Sequence, residues 1–383
     1  MMLALFAELV LWASLATVAY VYLGYPLTLA LLPARKGAPG ALAGRLPRVS
    51  VVIAARNEAT QIADTVRNKL AQDYPPELLE VVVVSDGSDD GTDVLVAAIN
   101  SERVRLLRQE PRQGKTLALN RGVPAARGEI IVFSDANSRY EPDAVRRLVA
   151  AFDDGTVGYV TGRLVYQDPG ETAVGAGSGT YMQYENWLRR LESRVGSIVG
   201  VNGGVDAVRR DLYQPMRADQ LPDFILPLRV VEQGYRVVYR EDAVSREESL
   251  GRQDDEYRMR VRVSLRALHG LADMRRLLAP RHGLFAFQVI VHKVLRYLLF
   301  VPLAAALVAN VALLDRTPYS WLLAAQATCY GLAAVGWASG GRIRFRPVFV
   351  PFYFCLINVA AGEALARFIR GERQVLWTPR KGA

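Results

Sequence analysis

Apolar and polar positions alternate along the chain in three different ways. Leu9–Leu32 runs for 24 residues without a charge, and crossing a bilayer as a helix takes about 20. From Phe285 a second apolar block begins. Phe285–Arg296 mixes apolar residues with His292, Lys293 and Arg296, the pattern of an amphipathic helix lying at an interface. Tyr297–Leu314 carries no charge, Asp315–Pro318 reads as a turn, and Tyr319–Ala338 reads as a returning span. Pro347–Ile369 is apolar but contains Glu363 and Arg367, so it is open between spanning and lying re-entrant or interfacial.

The middle of the chain follows another rule. Val49–Ala54, Glu80–Ser85, Val104–Leu107 and Glu129–Ser134 are short β-branched runs, and Ala59–Gln72, Thr92–Asn100 and Thr116–Ala126 have helical spacing. Strands alternating with helices predict a parallel sheet covered by helices. The divisions are then an N-terminal span at 1–32, an Ala/Gly/Pro linker at 33–47 and an α/β domain at 48–282, whose end at 251–282 is a basic helical segment. An interfacial helix at 283–296, apolar helices at 297–370 and a basic tail at 371–383 complete the chain.

Composition sharpens this division. The 383 residues are 51% hydrophobic and 22% charged, with a net charge of +9 and a mean hydropathy of +0.11. That balance excludes a disordered chain. Residues 251–300 hold ten basic and four acidic side chains, and 301–383 hold nine and three. The excess flanks apolar runs, which favours a cytoplasmic membrane face over nucleic acid. Arg35 and Lys36 follow the first span, placing the N-terminus outside and residue 33 onward in the cytoplasm of an inner-membrane protein. Two cysteines, Cys329 and Cys355, exclude a disulfide scaffold. Three histidines are too few for a His-based metal cluster.

In a parallel sheet, ligands bind at the carboxyl ends of the strands. There the sequence places Ala55-Arg56-Asn57-Glu58, Ser85-Asp86-Gly87-Ser88-Asp89-Asp90, and Ser134-Asp135-Ala136-Asn137. No phosphate-loop lysine and no GxGxxG motif occurs. Val49–Glu58, Asp86–Asp90, Gly114-Lys115 and Phe133–Asn137, in this order and spacing, resemble the inverting glycosyltransferases of family 2, over roughly residues 45–282. The flanking apolar helices resemble the membrane-embedded group containing cellulose, hyaluronan and poly-N-acetylglucosamine synthases.

The resemblance implies a GT-A nucleotide-diphospho-sugar transferase fold plus transmembrane helices. It implies a nucleotide-sugar donor, a UDP-sugar, held by Ala55, Arg56, Asn57, Glu58, Asp86, Ser88, Lys115 and Asp135. It implies Mg²⁺ or Mn²⁺ on Asp135 and Asn137; Asn137 stands where the family has a second Asp, and its carbonyl still suits a hard cation. Leu221-Pro222-Asp223, with Leu226 and Arg229, matches the acceptor-side motif, which makes Asp223 the base, with Pro222 in place of the family's Glu. Val201–Arg209 resembles the Gly-rich stretch that approaches the donor sugar. The Gln-x-x-Arg-Trp motif of processive enzymes is absent. Arg258, Arg262 and Arg266, at spacing four on one helix face, could clamp the diphosphate or meet anionic lipid. The expected protein is a membrane-bound transferase that passes a sugar to a lipid-linked or growing polysaccharide acceptor, with export or polymerisation partners. The alternative is a non-catalytic relative in such an assembly, since Asn137 and Pro222 both replace carboxylates.

Overall fold

The computed structural model describes residues 1–40, 44–167, 172–248 and 252–376. Parts of the linker and of the basic tail therefore lie outside the described residues. The expected alternation of strand and helix is present. β1 (Val49–Ala55), β2 (Leu79–Asp86), β3 (Val104–Gln109) and β4 (Ile130–Asp135) alternate with helices α2 (Ile62–Leu70), α3 (Thr92–Ala97) and α4 (Lys115–Ala125). β1 pairs in parallel with β2 and β4, and β2 with β3.

The pleat sorts the side chains. Val52, Ala54, Val82 and Val84 face a core built with Ala118, Leu119 and Val123 of α4. Val51, Ile53, Val81 and Val83 face the opposite core, with Ile62 and Val66 of α2. Burial on both faces explains why these strands read as continuous β-branched runs.

The second half departs from a purely parallel sheet. β5 (Arg139–Tyr140), β6 (Val157–Gln167), β7 (Asp206–Arg209) and β8 (Arg236–Glu248) extend it to eight strands in the order β3-β2-β1-β4-β7-β6-β8-β5. β7 is antiparallel to both β4 and β6, and β5 to β8. Helix α5 (Ala144–Ala150) covers this half, the 23-residue α6 (Ala173–Val195) follows β6, and α7 (Pro222–Glu232) and α8 (Gln253–Asp273) follow β7 and β8.

The apolar segments are helical. α1 (Met2–Leu31) and α12 (Arg346–Ile369) are long and apolar enough to cross a membrane. α9 (Pro280–Leu295) meets α10 (Phe300–Val311) at 59°, so the expected interfacial helix turns sharply into the next one. α11 (Tyr319–Ala338) follows a turn in which Arg316 pairs with Glu8 of α1 at 2.8 Å. α12 lies along α8: Tyr353 donates to Glu256 at 2.7 Å, and the Phe368 ring sits 4.7 Å from that of His269. Both ends of α12 therefore touch the α/β domain, and its continuation stays there, with His269 Nε2 at 2.8 Å from the Glu372 carbonyl and Arg373 on Asp219. The described part of the tail thus packs against the α/β domain.

A buried polar junction joins the two parts. Tyr25 of α1 donates to Glu192 of α6 at 2.5 Å, and His292 of α9 lies between Glu192 (2.6 Å) and Glu185 (3.2 Å). Arg194 donates to the carbonyls of Leu29 and Ala30 at 2.7 and 2.8 Å, satisfying acceptors left open at the end of α1.

Candidate active site

The polar groups that follow β1 and β2 interlock. Asn57, at φ +52°, donates to Asp89 at 2.7 Å and accepts from the Asp89 amide at 3.1 Å. The Asn57 amide donates to Ser88 Oγ at 3.1 Å, and Arg56 pairs with Asp89 at 3.3 Å. Asp86 is fully buried at the end of β2. Its carboxylate accepts from Gln109 Nε2 (2.6 Å), the Gln113 amide (2.8 Å) and the Gly114 amide (3.0 Å). Asp86 thereby holds the loop that delivers Lys115. Gly114 turns that loop at φ +96°, a conformation favourable only to glycine.

Lys115 opens α4 and reaches across the strand ends. Its Nζ lies 2.5 Å from Asp135 Oδ1 and 3.9 Å from Asp223 Oδ2. Burial alone would lower its pKa, but Asp135 and Asp223 outweigh it and hold the ammonium above the ordinary lysine range. Burial, followed by the Asp135 and Asp90 charges, pushes the Glu58 carboxyl up to about 7. Asp223 stands in the first turn of α7 with 28% of its side chain exposed. Burial raises its pKa, Lys115 draws it back, Asp135 raises it again, and the net direction is upward.

The Gly-rich stretch fits against carboxylates. Gly203, at φ +89°, leaves no room for a Cβ beside Asp223, and Gly204 leaves none beside Glu247. Behind them Asp206, fully buried, accepts from the Gly203 amide at 2.8 Å. Burial, then Asp223, pushes its carboxyl up to about 7. Glu247 and Asp206 escaped the sequence reading. Both lie on strands of the second half, where alternation marked a face but not what the face met.

These groups open into one cavity of about 340 Å³. Ala54, Glu58, Lys115, Asp135, Asn137 and Asp223 line it. So do Tyr22 of α1, Lys293 of α9, Arg296 just after α9, and Ile357 and Ala361 of α12. Ala55, Arg56, Asn57, Asp86 and Ser88 form the framework beside it rather than its wall.

The three arginines expected on one face of α8 separate. Arg262 lines the cavity. Arg266, 6% exposed, is spent on Thr116 Oγ1 at 3.1 Å and on the Gln220 carbonyl, pinning the segment before Asp223 to α4. Arg258, expected to bind the donor, is not among the residues lining the cavity; its side chain is 74% exposed, with Asp255 at 3.8 Å. The helix carries Arg260 inward instead, onto Glu256 at 2.9 Å and Tyr353 at 2.6 Å.

Asp135, with 34% of its side chain exposed, and Asn137 present one carboxylate and one amide carbonyl to the cavity. Among the described residues no group of three or more His, Cys, Asp or Glu gathers to hold a metal. An oxygen pair on an open wall suits a hard divalent cation that keeps waters and takes its remaining ligands from phosphate. The residues therefore fit Mg²⁺ or Mn²⁺ carried in with a diphosphate, not a resident protein cage.

Comparison with known proteins bears on the fold and the family. Residues 50–215 match the model of glycosyl transferase family 2. Over 171 residues the chain is 32% identical to the beta-monoglucosyldiacylglycerol synthase of Trichormus variabilis, covering 44% of this chain and 36% of that protein. Over 161 residues it is 28% identical to the poly-beta-1,6-N-acetyl-D-glucosamine synthase of Staphylococcus aureus, covering 41% and 38%. The match thus spans little more than a third of the length of these relatives. A mannosyltransferase from Pyrobaculum calidifontis, solved with GDP-Man and Mn²⁺, superposes over 97% of this chain and 99% of its own with a TM-score of 0.72 at 24% identity. The GT-A fold is therefore shared together with the flanking helices.

Proposed function

Starting from a chain whose residues 50–215 form a glycosyl transferase family 2 domain, we propose that the protein is a membrane-bound inverting glycosyltransferase. It takes a sugar from a nucleotide-sugar, a UDP-sugar in our reading, and passes it to a lipid-linked or growing glycan at the membrane surface. The observation that carries this reading is that one cavity is lined both by Asp135, Lys115 and Asp223 and by side chains of the apolar helices α1 and α12.

The chemistry follows from placement. Asp223 accepts the proton of the acceptor hydroxyl. The freed oxygen bonds to the anomeric carbon from the face opposite the leaving group, the bond from that carbon to the diphosphate oxygen breaks, and the nucleoside diphosphate departs. Lys115 aims a fixed positive charge at the place where the diphosphate gains charge. Asp135 and Asn137 would hold the divalent cation, which supplies further neutralisation of the same oxygens when bound. Glu58 and the Arg56–Asp89 framework fix the rim on which the nucleotide lies.

In the membrane, on this reading, α1 crosses, the α9–α10 pair and α11 form a hairpin through it, and α12, although long and apolar enough to cross, rests at the interface along α8. The Arg316–Glu8 pair then lies outside, and the catalytic domain and the first residues of the tail lie in the cytoplasm. The test is sugar transfer from radiolabelled UDP- and GDP-sugars by membranes containing the wild type or Asp223→Asn. Loss of transfer with nucleotide binding retained is expected. Transfer at the wild-type rate would remove Asp223 from its role and the reading with it.

A further inference from the structure

The cavity holds two cations that the proposed reaction does not use. Arg189 of α6 is 5% exposed. It donates to the Gly200 carbonyl at 3.0 Å and to Asn186 Oδ1 at 2.8 Å, and meets no carboxylate among the described residues. Lys293 of α9 reaches the same spot: a Cβ built on Gly200 would stand 2.5 Å from its Nζ. That ammonium has neither a hydrogen bond nor an ion pair among the described residues.

Their neighbours are compensated. Arg260 is paired with Glu256, Arg296 with Glu185, and Lys115 with Asp135. Glu185 and Glu192 act on Lys293 from beyond contact distance, but their direct contacts go to Arg296 and His292. Two cations converging on one glycine repel each other, and an anion touching both would relieve that repulsion.

The surroundings say what carries the anion. Tyr22, Tyr181, Met182, Tyr297, Ile357 and Ala361 line the same cavity. Two of them belong to α12 and one to α1, the two helices long and apolar enough to cross a membrane. We infer that Arg189 and Lys293 form an anion subsite that holds the phosphate or diphosphate of a lipid phosphate, the acceptor, with its hydrocarbon lying toward α1 and α12. The inference rests on the reading that the acceptor is lipid-linked, and adds what recognises it. Gly200 is part of the device, since any side chain there would displace Lys293.

Binding is measured by calorimetry on the detergent-purified full chain with hexyl phosphate, hexyl glucoside and inorganic phosphate, and separately with UDP and GDP. Hexyl phosphate is expected to bind at least tenfold tighter than the other two probes. Arg189→Gln and Lys293→Gln should each weaken it at least tenfold while leaving nucleotide affinity unchanged. Gly200→Ala, which keeps both charges, should weaken it likewise and guards against a variant that merely misfolds. Undiminished hexyl phosphate binding in all three variants overturns the subsite. Equal binding of inorganic phosphate overturns the lipid assignment and makes it a site for free phosphate. A parallel loss of nucleotide affinity assigns the two cations to the donor and also overturns it. Hexyl phosphate binding in a wild type that binds no nucleotide would sink the transferase reading and leave the subsite standing.

Discussion

Replacing Asp206 by asparagine should make the protein more stable at alkaline pH and do so by a calculable amount. The carboxyl is fully buried beneath Gly203, with Oδ1 lacking a hydrogen-bond partner. Burial and the nearby Asp223 push its pKa from 3.8 to about 7. Between those values the folded state holds a proton that the unfolded chain has released. The favourable situation is therefore fully present below pH 3.8 and is lost as the pH rises to about 7, at about 1.4 kcal/mol per pH unit. From pH 5 to pH 8.5 the wild type loses two such units, about 3 kcal/mol. Asparagine has nearly the same shape, can still accept from the Gly203 amide, and does not titrate. Urea unfolding of both proteins in the same detergent, followed by circular dichroism at pH 5 and pH 8.5, gives the difference directly. The gap should move by about 3 kcal/mol in favour of Asp206→Asn as the pH rises. A gap constant to within about 0.5 kcal/mol would mean that Asp206 is ionised in the fold and would refute the reasoning.

Two further predictions concern the catalytic groups. In Lys115→Met the ammonium 3.9 Å from Asp223 disappears. The acidic limb of the kcat/KM profile should therefore move up by about one pH unit, a fraction of the Coulomb limit because the site is partly open. A fall in rate with an unmoved limb would restrict Lys115 to the donor phosphates. Gly203→Ala places a Cβ on Asp223 at a positive φ. It should cost about 1–3 kcal/mol of stability and reduce kcat with little change in nucleotide affinity, read by thermal unfolding and by sugar transfer in parallel.

Legibility differed sharply between the two halves of the α/β domain. The runs at 49–54 and 80–85 could be read because strands buried on both faces admit few residues but β-branched ones. The polar clusters that follow them could be found because parallel sheets put ligands at their carboxyl ends. Glu247 and Asp206 could not be found that way. They lie on strands of mixed direction, and their importance comes from contacts to Gly204, Ser138 and Gly203 that no local spacing encodes. The α8 arginines show the limit of periodicity. Spacing four predicts a shared face, but the helix rests against α12, and this contact turns Arg260 inward and leaves Arg258 in solvent.

The placement of α6 explains why the apolar helices belong to the site rather than merely anchoring it. Its middle and end carry Glu185, Arg189, Glu192 and Arg194. Three of these fasten α1 and α9 through Tyr25, His292, Arg296 and the last carbonyls of α1. The fourth, Arg189, holds the Gly200 carbonyl. From Gly200 the chain runs directly into Gly203, which packs on Asp223. A shift of α1 against α6 must therefore be absorbed within a few residues of the base or by breaking the buried Tyr25–Glu192–His292 contacts, and breaking such a network is costly. On the proposed reading, the same helix therefore ties the apolar helices to the segment that packs on Asp223. Tyr22, Ile357 and Ala361 line the cavity, so on that reading an α/β domain separated from α1 and α12 would lose part of the surface that presents an acceptor to Asp223.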